Sequence, residues 1–116
     1  MGIAVQALDS VYGRSAAGIR ARLEHAGLSG WRVQAEAETD EDGYVKAWRE
    51  RAFARGLYRI IFDSDRYFVT LGLSAAYPEI SVMFRMQDDS GPDEIRIRLQ
   101  LLLSPHAYST YFGSHG

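Results

Sequence analysis

Apolar and polar residues alternate with a period of two along much of this 116-residue chain. Such alternation places every second side chain on one face, as expected of β-strands that bury one side of a sheet. The segments that show it most clearly are 19–24, 31–38, 80–86 and 95–103. Weaker strand candidates are 3–8, 44–46, 57–62 and 107–111. About eight short strands separated by turn residues are typical of a sandwich or a barrel.

The alternation also predicts which side chains face the core. Those expected on the buried faces of the clearest strands are Ile19, Ala21, Leu23, Trp31, Val33, Ala35, Ala37, Ile80, Val82, Phe84, Met86, Ile95, Ile97, Leu99, Leu101 and Leu103. Segment 63–72 breaks the pattern and predicts a two-turn helix, because Asp63 or Ser64 can cap its start and Gly72 suits its end. We therefore expect an all-β, mostly antiparallel β-sandwich with one short helix. At this length, residues 1–116 form a single domain.

Composition excludes several functional classes. The formal net charge of -2 provides no bulk attraction for phosphate backbones, so we expect no nucleic-acid partner. Cysteine is absent, which leaves no thiolate for a metal site, a disulfide or a nucleophile. No run approaches the ~18 apolar residues of a membrane span, and the start lacks the pattern of a signal peptide. We expect a cytoplasmic protein without a membrane partner.

Signatures of metals and cofactors are weak. The histidines, His25, His106 and His115, share no spacing that would place two of them on one element. Segment 40–43, Asp-Glu-Asp-Gly, starts like a calcium loop but lacks the later Glu, so a charged turn explains it better. Neither Gly-x-Ser-x-Gly nor a Gly-rich phosphate loop occurs. We expect no metal and no other cofactor.

Two arginines lie on one face of the last clear strand. Arg96 and Arg98 alternate with buried positions, and their guanidinium groups can hold a planar anion by forked hydrogen bonds. A solvated strand face is the alternative explanation of the same pair. Gln100 continues this face toward a terminus rich in Tyr, Ser and Thr, and such a mixed face also suits contact with another subunit.

The C-terminal segment carries a recognisable motif. Leu-Leu-Leu-Ser-Pro at 101–105 is followed by Tyr-Ser-Thr-Tyr at 108–111 and by Gly-Ser at 113–114. This order resembles the C-terminal signature of the transthyretin-like 5-hydroxyisourate hydrolases. Similarity extends over essentially the whole chain, at Leu8-Asp9, Gly13, Ala16-Ala17-Gly18, Leu23-Glu24, Thr39-Asp40, Asp42-Gly43, Gly56-Leu57-Tyr58-Arg59, Phe62-Asp63, Tyr67-Phe68 and Tyr77-Pro78-Glu79-Ile80.

The resemblance implies a transthyretin-like sandwich of seven or eight strands with one short helix, assembled as a homotetramer. In that family, two dimers pack around a central channel, and the active sites lie at the dimer-dimer contact. The C-terminal strand and tail help to build these sites. The family activity is the hydrolysis of 5-hydroxyisourate, a ring-opening step of urate breakdown.

Most of the residues that the family uses for this reaction are replaced here. The family's first-strand His is Gln6 here, and its Arg after the Asp-Gly turn is Tyr44. Its His-Tyr-His stretch is Arg96-Ile97-Arg98, and the Pro that follows is Gln100. Its tail Arg is Phe112, and its tail Ser is Ser114. Of these, only the Ser is retained. Gln and Arg cannot take a proton from water near pH 7 as a neutral imidazole does, so the family's water-activating arrangement is absent.

We therefore expect a divergent enzyme that binds a small cyclic metabolite at the dimer-dimer interface and catalyses a hydrolysis, isomerisation or cyclisation. Arg98 is the predicted anion or oxyanion binder. Gln6 and Ser114 are predicted to hydrogen-bond the ligand, and Tyr44 to act as an acid/base or as a stacking wall. Further predicted ligand-binding residues are Arg96, Gln100, Leu102, Ser104, His106, Tyr111 and Phe112. The alternatives are a non-catalytic binding protein of the transthyretin type and a retained 5-hydroxyisourate hydrolase.

Overall fold

The structure, a computed structural model, describes residues 2–87 and 97–114. Within these ranges the chain forms eight strands and two short helices. In chain order they are β1 (Ile3–Asp9), β2 (Arg14–Ser15), β3 (Arg20–Gly27), β4 (Gly30–Glu38), α1 (Lys46–Arg49), β5 (Gly56–Phe62), α2 (Ser64–Thr70), β6 (Ile80–Met86), β7 (Ile97–Leu103) and β8 (Tyr108–Ser114). Neither helix of the described ranges is long and apolar enough to cross a membrane.

The strands form two four-stranded sheets. The first has the order β2-β1-β7-β8 and the second the order β4-β3-β5-β6. All pairs are antiparallel except β1 and β7, which run parallel over seven paired positions. The predicted all-β sandwich is therefore confirmed, with one parallel pair at the centre of the first sheet.

Two short elements differ from the sequence prediction. The strand expected at 44–46 is wrong, because Tyr44 forms only an isolated bridge with Gln6, and Lys46 already begins α1. The two-residue strand β2 was not predicted. Elements of two to four residues are too short to repeat the period that identifies them, so alternation carries no signal for them.

The core lies between the two sheets. Leu99, Leu101 and Leu103 of β7 are buried, as predicted, against residues such as Tyr58 and Phe84 of the second sheet. Burying each large apolar side chain contributes about 1.5–3 kcal/mol relative to leaving it in water. The alternation of β7 thus buries one face of the strand in the core and leaves Arg98 and its neighbours on the other face.

A β-bulge in β4 reverses part of the predicted inward face. Leu23 pairs with Ala35, but Glu24 pairs with Val33, so Gln34 is the extra residue. An extra residue shifts the alternation by one and moves the following side chains to the other face. Val33 is accordingly 54% exposed. The prediction that Val33 and Trp31 face the core is therefore wrong, and the Trp31 ring instead lies 4.2 Å from the Arg59 guanidinium on the outer face.

The predicted helix is confirmed as α2, which is tied to the end of β1. Tyr67 Oη donates a 2.6 Å hydrogen bond to Asp9 Oδ2, and Asp9 Oδ1 accepts from the backbone N–H groups of Val11 and Tyr12. Burial, followed by the adjacent Asp9 carboxylate, raises the pKa of Tyr67 to about 12. The phenol therefore keeps its proton at neutral pH and holds the helix against the first sheet.

The 40–44 turn covers the edge of β1 that β2 leaves open. Gly43 O accepts a 2.8 Å hydrogen bond from Ala7 N, and Asp40 Oδ1 accepts 2.9 Å hydrogen bonds from the N–H groups of Asp42 and Tyr44. Desolvation opposes the charge of Asp40, but these N–H groups and Lys46 hold the pKa of its carboxyl below the usual range. The ionised Asp40 thus fixes the position of Tyr44 beside β1.

We predict that Gly43→Ala destabilises the protein far more than Gly13→Ala. Both glycines have positive φ, +80° and +65°, at which a Cβ costs about 1–2 kcal/mol. A Cβ at Gly43 would also lie 2.3 Å from Ala7 O, whereas nothing lies within 4 Å of one at Gly13. In urea unfolding we expect losses of about 3 kcal/mol or more for Gly43→Ala and about 1 kcal/mol for Gly13→Ala. Equal losses would show that the turn does not depend on this close approach.

Candidate functional site

Five of the predicted site residues come together on the outer face of the first sheet. Gln6 of β1 pairs with Gln100 of β7, and Gln100 pairs with Tyr111 of β8, so these three form one row. Tyr44 bridges to Gln6 from the other side. Arg98 precedes Gln100 by two residues and therefore lies on the same face. They line a hollow of about 150 Å³, the Arg98 hollow, formed by Ala4, Gln6, Tyr44, Arg98, Leu99, Gln100 and Tyr111.

The hollow exists because the neighbours of Arg98 are small. Across the sheet, Arg98 pairs with Ala4 on one side and with Gly113 on the other. The Tyr111 ring leans over Gly113, with a ring carbon 3.5 Å from where a Cβ of that glycine would lie. The space beside the Arg98 guanidinium is therefore bounded by an aromatic ring and not filled by cross-strand side chains.

The amides of Gln6 and Gln100 are hydrogen-bonded to each other. Gln100 Nε2 donates to Gln6 Oε1 at 3.0 Å, and Gln6 Nε2 donates to the main-chain oxygen of Asp42 at 3.1 Å. The 40–44 turn thus anchors Gln6, and Gln6 in turn holds Gln100. Gln6 was predicted to hydrogen-bond a ligand, but both ends of its amide already have partners within this chain.

Arg98 supplies the positive charge of the hollow. Its side chain is exposed, and none of the ion pairs among residues 2–87 and 97–114 involves it. Tyr44, by contrast, has a cationic neighbour, since its ring centroid lies 5.6 Å from the Arg49 guanidinium. Within the described chain, the Arg98 guanidinium therefore keeps its donors available for an anion.

Phe112 was predicted to line the site, but it lies on the opposite face of the sheet. It pairs with Leu99, whose side chain is in the core, and its ring packs against Phe84 of the second sheet at 5.9 Å. Alternation along β8 explains the difference, because the neighbouring Tyr111 occupies the outer face. The structure brings Phe112 to the open edge between β6 and β8 instead.

Three other predicted residues lie away from the hollow. Leu102 is on the outer face but one row beyond Gln100, where it pairs with Leu8 and Ser109. Ser104 and His106 belong to the turn after β7, and Ser104 Oγ bonds to the backbone of Ala107. From Arg98 to the end of β7 is about 16 Å, at 3.3 Å per residue. A single chain therefore does not bring Ser104 or His106 to Arg98.

The structure does not describe the side chains of two predicted site residues, Arg96 and Ser114. Arg96 lies outside the described residues, as does Ile95 at the start of the predicted strand. The backbone of Ser114 ends β8, where it pairs with Ile97, but its side chain is not among the described parts. Their predicted roles in binding and catalysis stay predictions.

Sequence reasoning missed three contributors to the hollow. Ala4 and Gly113 create its space, and only the register of β1, β7 and β8 places them beside Arg98. The third is the main-chain oxygen of Asp42, which anchors Gln6. Backbone atoms carry no residue-type signal, so no pattern in the sequence could have found it. Gly113 belongs to the C-terminal motif, and this was the one indication in the sequence that it contributes to the site.

A wider cleft lies between β2 and α2. It measures about 540 Å³, and its lining includes Arg14, Glu41, Arg66 and Tyr67. Charges of both signs occupy it, and its phenol is already bonded to Asp9. The smaller Arg98 hollow has a cation but no carboxylate among its described lining residues, and it brings together five of the predicted site residues. It is therefore the better candidate for a functional site.

The polar groups of the Arg98 hollow are donors of hydrogen bonds or neutral amides. Among the described lining residues, none is a carboxylate or an imidazole. Guanidinium and phenol groups carry their protons near pH 7, so they stabilise developing negative charge but do not remove a proton from water. The arrangement suits binding of an anion or an oxyanion beside an aromatic ring.

Comparison with known proteins identifies the family of this chain. The model of the HIUase/Transthyretin family matches residues 3–113. Proteins described as 5-hydroxyisourate hydrolase from Salmonella dublin and Salmonella typhi are each 38% identical over 113 residues, covering 97% of this chain and 80% of theirs.

Solved structures show the same fold. The crystal structure of transthyretin from Sparus aurata has a TM-score of 0.83 and 27% identity, over 98% of this chain and 97% of that chain. Sea bream transthyretin in complex with thyroxine has a TM-score of 0.82 and 28% identity, over 97% and 95% of the two chains. The chain is therefore a member of the HIUase/Transthyretin family.

Proposed function

We propose that this protein binds a small cyclic metabolite in the Arg98 hollow and catalyses a hydrolysis, isomerisation or cyclisation on it. The observation that carries the proposal is the Arg98 guanidinium, which has no ion-pair partner within residues 2–87 and 97–114 and lies beside the Tyr111 ring and the Gln100 amide. A planar ring with an anionic oxygen matches these groups, because it stacks on the aromatic wall while the guanidinium binds its charge.

Arg98 is the proposed source of catalysis. A cation beside the substrate stabilises an oxygen that gains negative charge, as happens when a carbonyl is attacked during ring opening or ring closure. Tyr44 provides a phenol that can donate a proton or a hydrogen bond to the same oxygen. A substrate whose own nucleophile is already deprotonated can close its ring at this site without a general base.

The proposed site is completed by other copies of the chain in a homotetramer. The hollow of about 150 Å³ is smaller than the 300–1,000 Å³ typical of ligand pockets, and one chain provides only one wall. Tyr111 is 63% exposed and Leu102 is 39% exposed on the same face. A second copy packed against this face would cover these apolar groups and enclose a ring. A cytoplasmic location stays a prediction from composition.

Retained 5-hydroxyisourate hydrolysis is a second candidate, favoured by the 38% identity to proteins described by that activity. Gln6, Tyr44 and Arg98 at the family's His and Arg positions count against it, because none of these groups activates water near pH 7. A third candidate is binding without turnover. The likeness to a transthyretin in complex with thyroxine favours it, since that protein holds its ligand in the same fold.

We predict that the Arg98→Met variant loses affinity for planar carboxylates. Benzoate is a suitable probe, because it carries one ring and one carboxylate and can be titrated by NMR. Removing a charge-assisted contact should weaken its binding about ten- to hundredfold. Arg32→Met, an exposed substitution on β4 of the other sheet, is the matched control and should leave the affinity unchanged. Equal affinities for wild type and Arg98→Met would contradict the proposed site.

We predict an assembly of four chains in solution. Light scattering coupled to size-exclusion chromatography should give a mass about four times the 13.0 kDa of one chain. The physical reason is that the exposed aromatic groups of β8 and the incomplete hollow both require a covering surface. A monomeric mass at micromolar concentration would remove the enclosed site, and with it the proposed function.

We predict no acceleration of 5-hydroxyisourate decay by this protein. Among the described lining residues of the hollow, none is an imidazole or a carboxylate, so none of them removes a proton from water. The absorbance decay of freshly generated 5-hydroxyisourate should therefore match the spontaneous rate, with a Salmonella 5-hydroxyisourate hydrolase as the positive control. An accelerated decay that Arg98→Met abolishes would establish the second candidate instead.

A further inference from the structure

Two side-chain amides and one main-chain carbonyl form a hydrogen-bonded series along the Arg98 hollow. The series runs from Asp42 O to Gln6 and from Gln6 to Gln100, with donor-acceptor distances of 3.1 and 3.0 Å. It crosses from the 40–44 turn to β1 and then to β7. Its last member, Gln100, pairs with Tyr111 and lies two residues after Arg98.

The carbonyl at the start fixes the direction of the whole series. A main-chain oxygen only accepts hydrogen bonds, so the group of Gln6 that faces Asp42 O must be the NH₂. The oxygen of Gln6 therefore faces Gln100, and Gln100 must present its own NH₂ to that oxygen. The atom left over is Gln100 Oε1, and no hydrogen bond among the described residues uses it.

We propose that the ligand of this hollow carries a hydrogen-bond donor, an N–H or O–H, that binds Gln100 Oε1 while its anionic oxygen binds Arg98. This inference rests on the proposed function, since it specifies the chemistry of the ligand at the same site. Residues two apart on a strand are separated by about 6.6 Å, so the donor and the anion lie on different edges of the ring. The recognised class is a cyclic acid with a separate N–H or O–H group.

Gln6 acts as a positioning residue in this arrangement. Both ends of its amide are hydrogen-bonded, one to Asp42 O and the other to Gln100 Nε2. Its role is therefore to prevent rotation of the Gln100 amide, and it does not bind the ligand itself. A free Gln amide turns either its oxygen or its NH₂ toward a ligand and so selects weakly between donors and acceptors. Anchoring the amide makes the hollow selective for donors.

The test compares ring acids that differ in one donor. The probes are 3- and 4-hydroxybenzoate and the corresponding methoxybenzoates, which keep the oxygen but lose its proton, with benzoate as the reference. We expect the better hydroxybenzoate to bind about two- to tenfold more tightly than its methoxy counterpart, as for one added neutral hydrogen bond. In Gln100→Met the ratio should fall to about one, because the acceptor is gone.

A second pair of variants separates positioning from contact. Gln6→Met should lower the hydroxy-to-methoxy ratio although Gln100 remains. In ¹⁵N-resolved NMR of the ligand-free protein, Gln6→Met should also shift the side-chain NH₂ signals of Gln100. Gln34→Met makes the same chemical change at the β4 bulge, in the other sheet, and should alter neither the ratio nor those signals.

Three outcomes would contradict the inference. They differ in whether they also contradict the proposed function. A ratio near one in wild type, with benzoate binding still dependent on Arg98, removes the donor selectivity but leaves the proposed site. If the Gln100 NH₂ signals do not shift in Gln6→Met, Gln6 does not anchor the Gln100 amide, and this conclusion is independent of ligand binding. If the affinities of benzoate and of both hydroxybenzoates do not depend on Arg98, the proposed function and the donor selectivity are both contradicted.

Discussion

The parallel pairing of β1 with β7 is the constraint on which both the core and the candidate site depend. It joins the first strand of the chain to the seventh, and its seven paired positions place Ile3 beside Ile97 and Gln6 beside Gln100. A slip of one residue would turn the buried leucines of β7 outward and Arg98 inward, which burial of a charge forbids. The hydrophobic effect that sets the register of the core therefore also sets the geometry of the Arg98 hollow.

Residues outside the Arg98 hollow also shape the site through this pair. The 40–44 turn closes the open edge of β1, and the close approach of Gly43 to Ala7 O allows Tyr44 and Asp42 to reach Gln6. The ionised Asp40 holds the turn in that shape. These backbone hydrogen bonds and caps hold Tyr44 and Gln6 in place, as a binding site requires.

Alternation predicted the inward residues of β7, the capping residues of segment 63–72 predicted the helix α2, and the resemblance correctly named the family. What failed depended on non-local geometry. The bulge at Gln34 turned Trp31 and Val33 outward, and no feature of β4 itself marks that residue. Phe112 was grouped with Arg98 from a motif, yet the register of β8 against β7 decides its face. The parallel direction of β1 and β7 is also invisible to a period of two, which is the same in both directions.

The side chains of Gln6, Gln100 and Arg98 determine what the outer face of the first sheet can do chemically. Imidazole both accepts and donates a proton near pH 7, whereas a Gln amide and an Arg donate or accept hydrogen bonds without exchanging protons. Gln6 is tied to Asp42 O and Gln100, so it is part of the scaffold. In the proposed site, Arg98 supplies a cation and Gln100 supplies an oriented acceptor. A site of this kind selects its ligand by polarity and does not activate water.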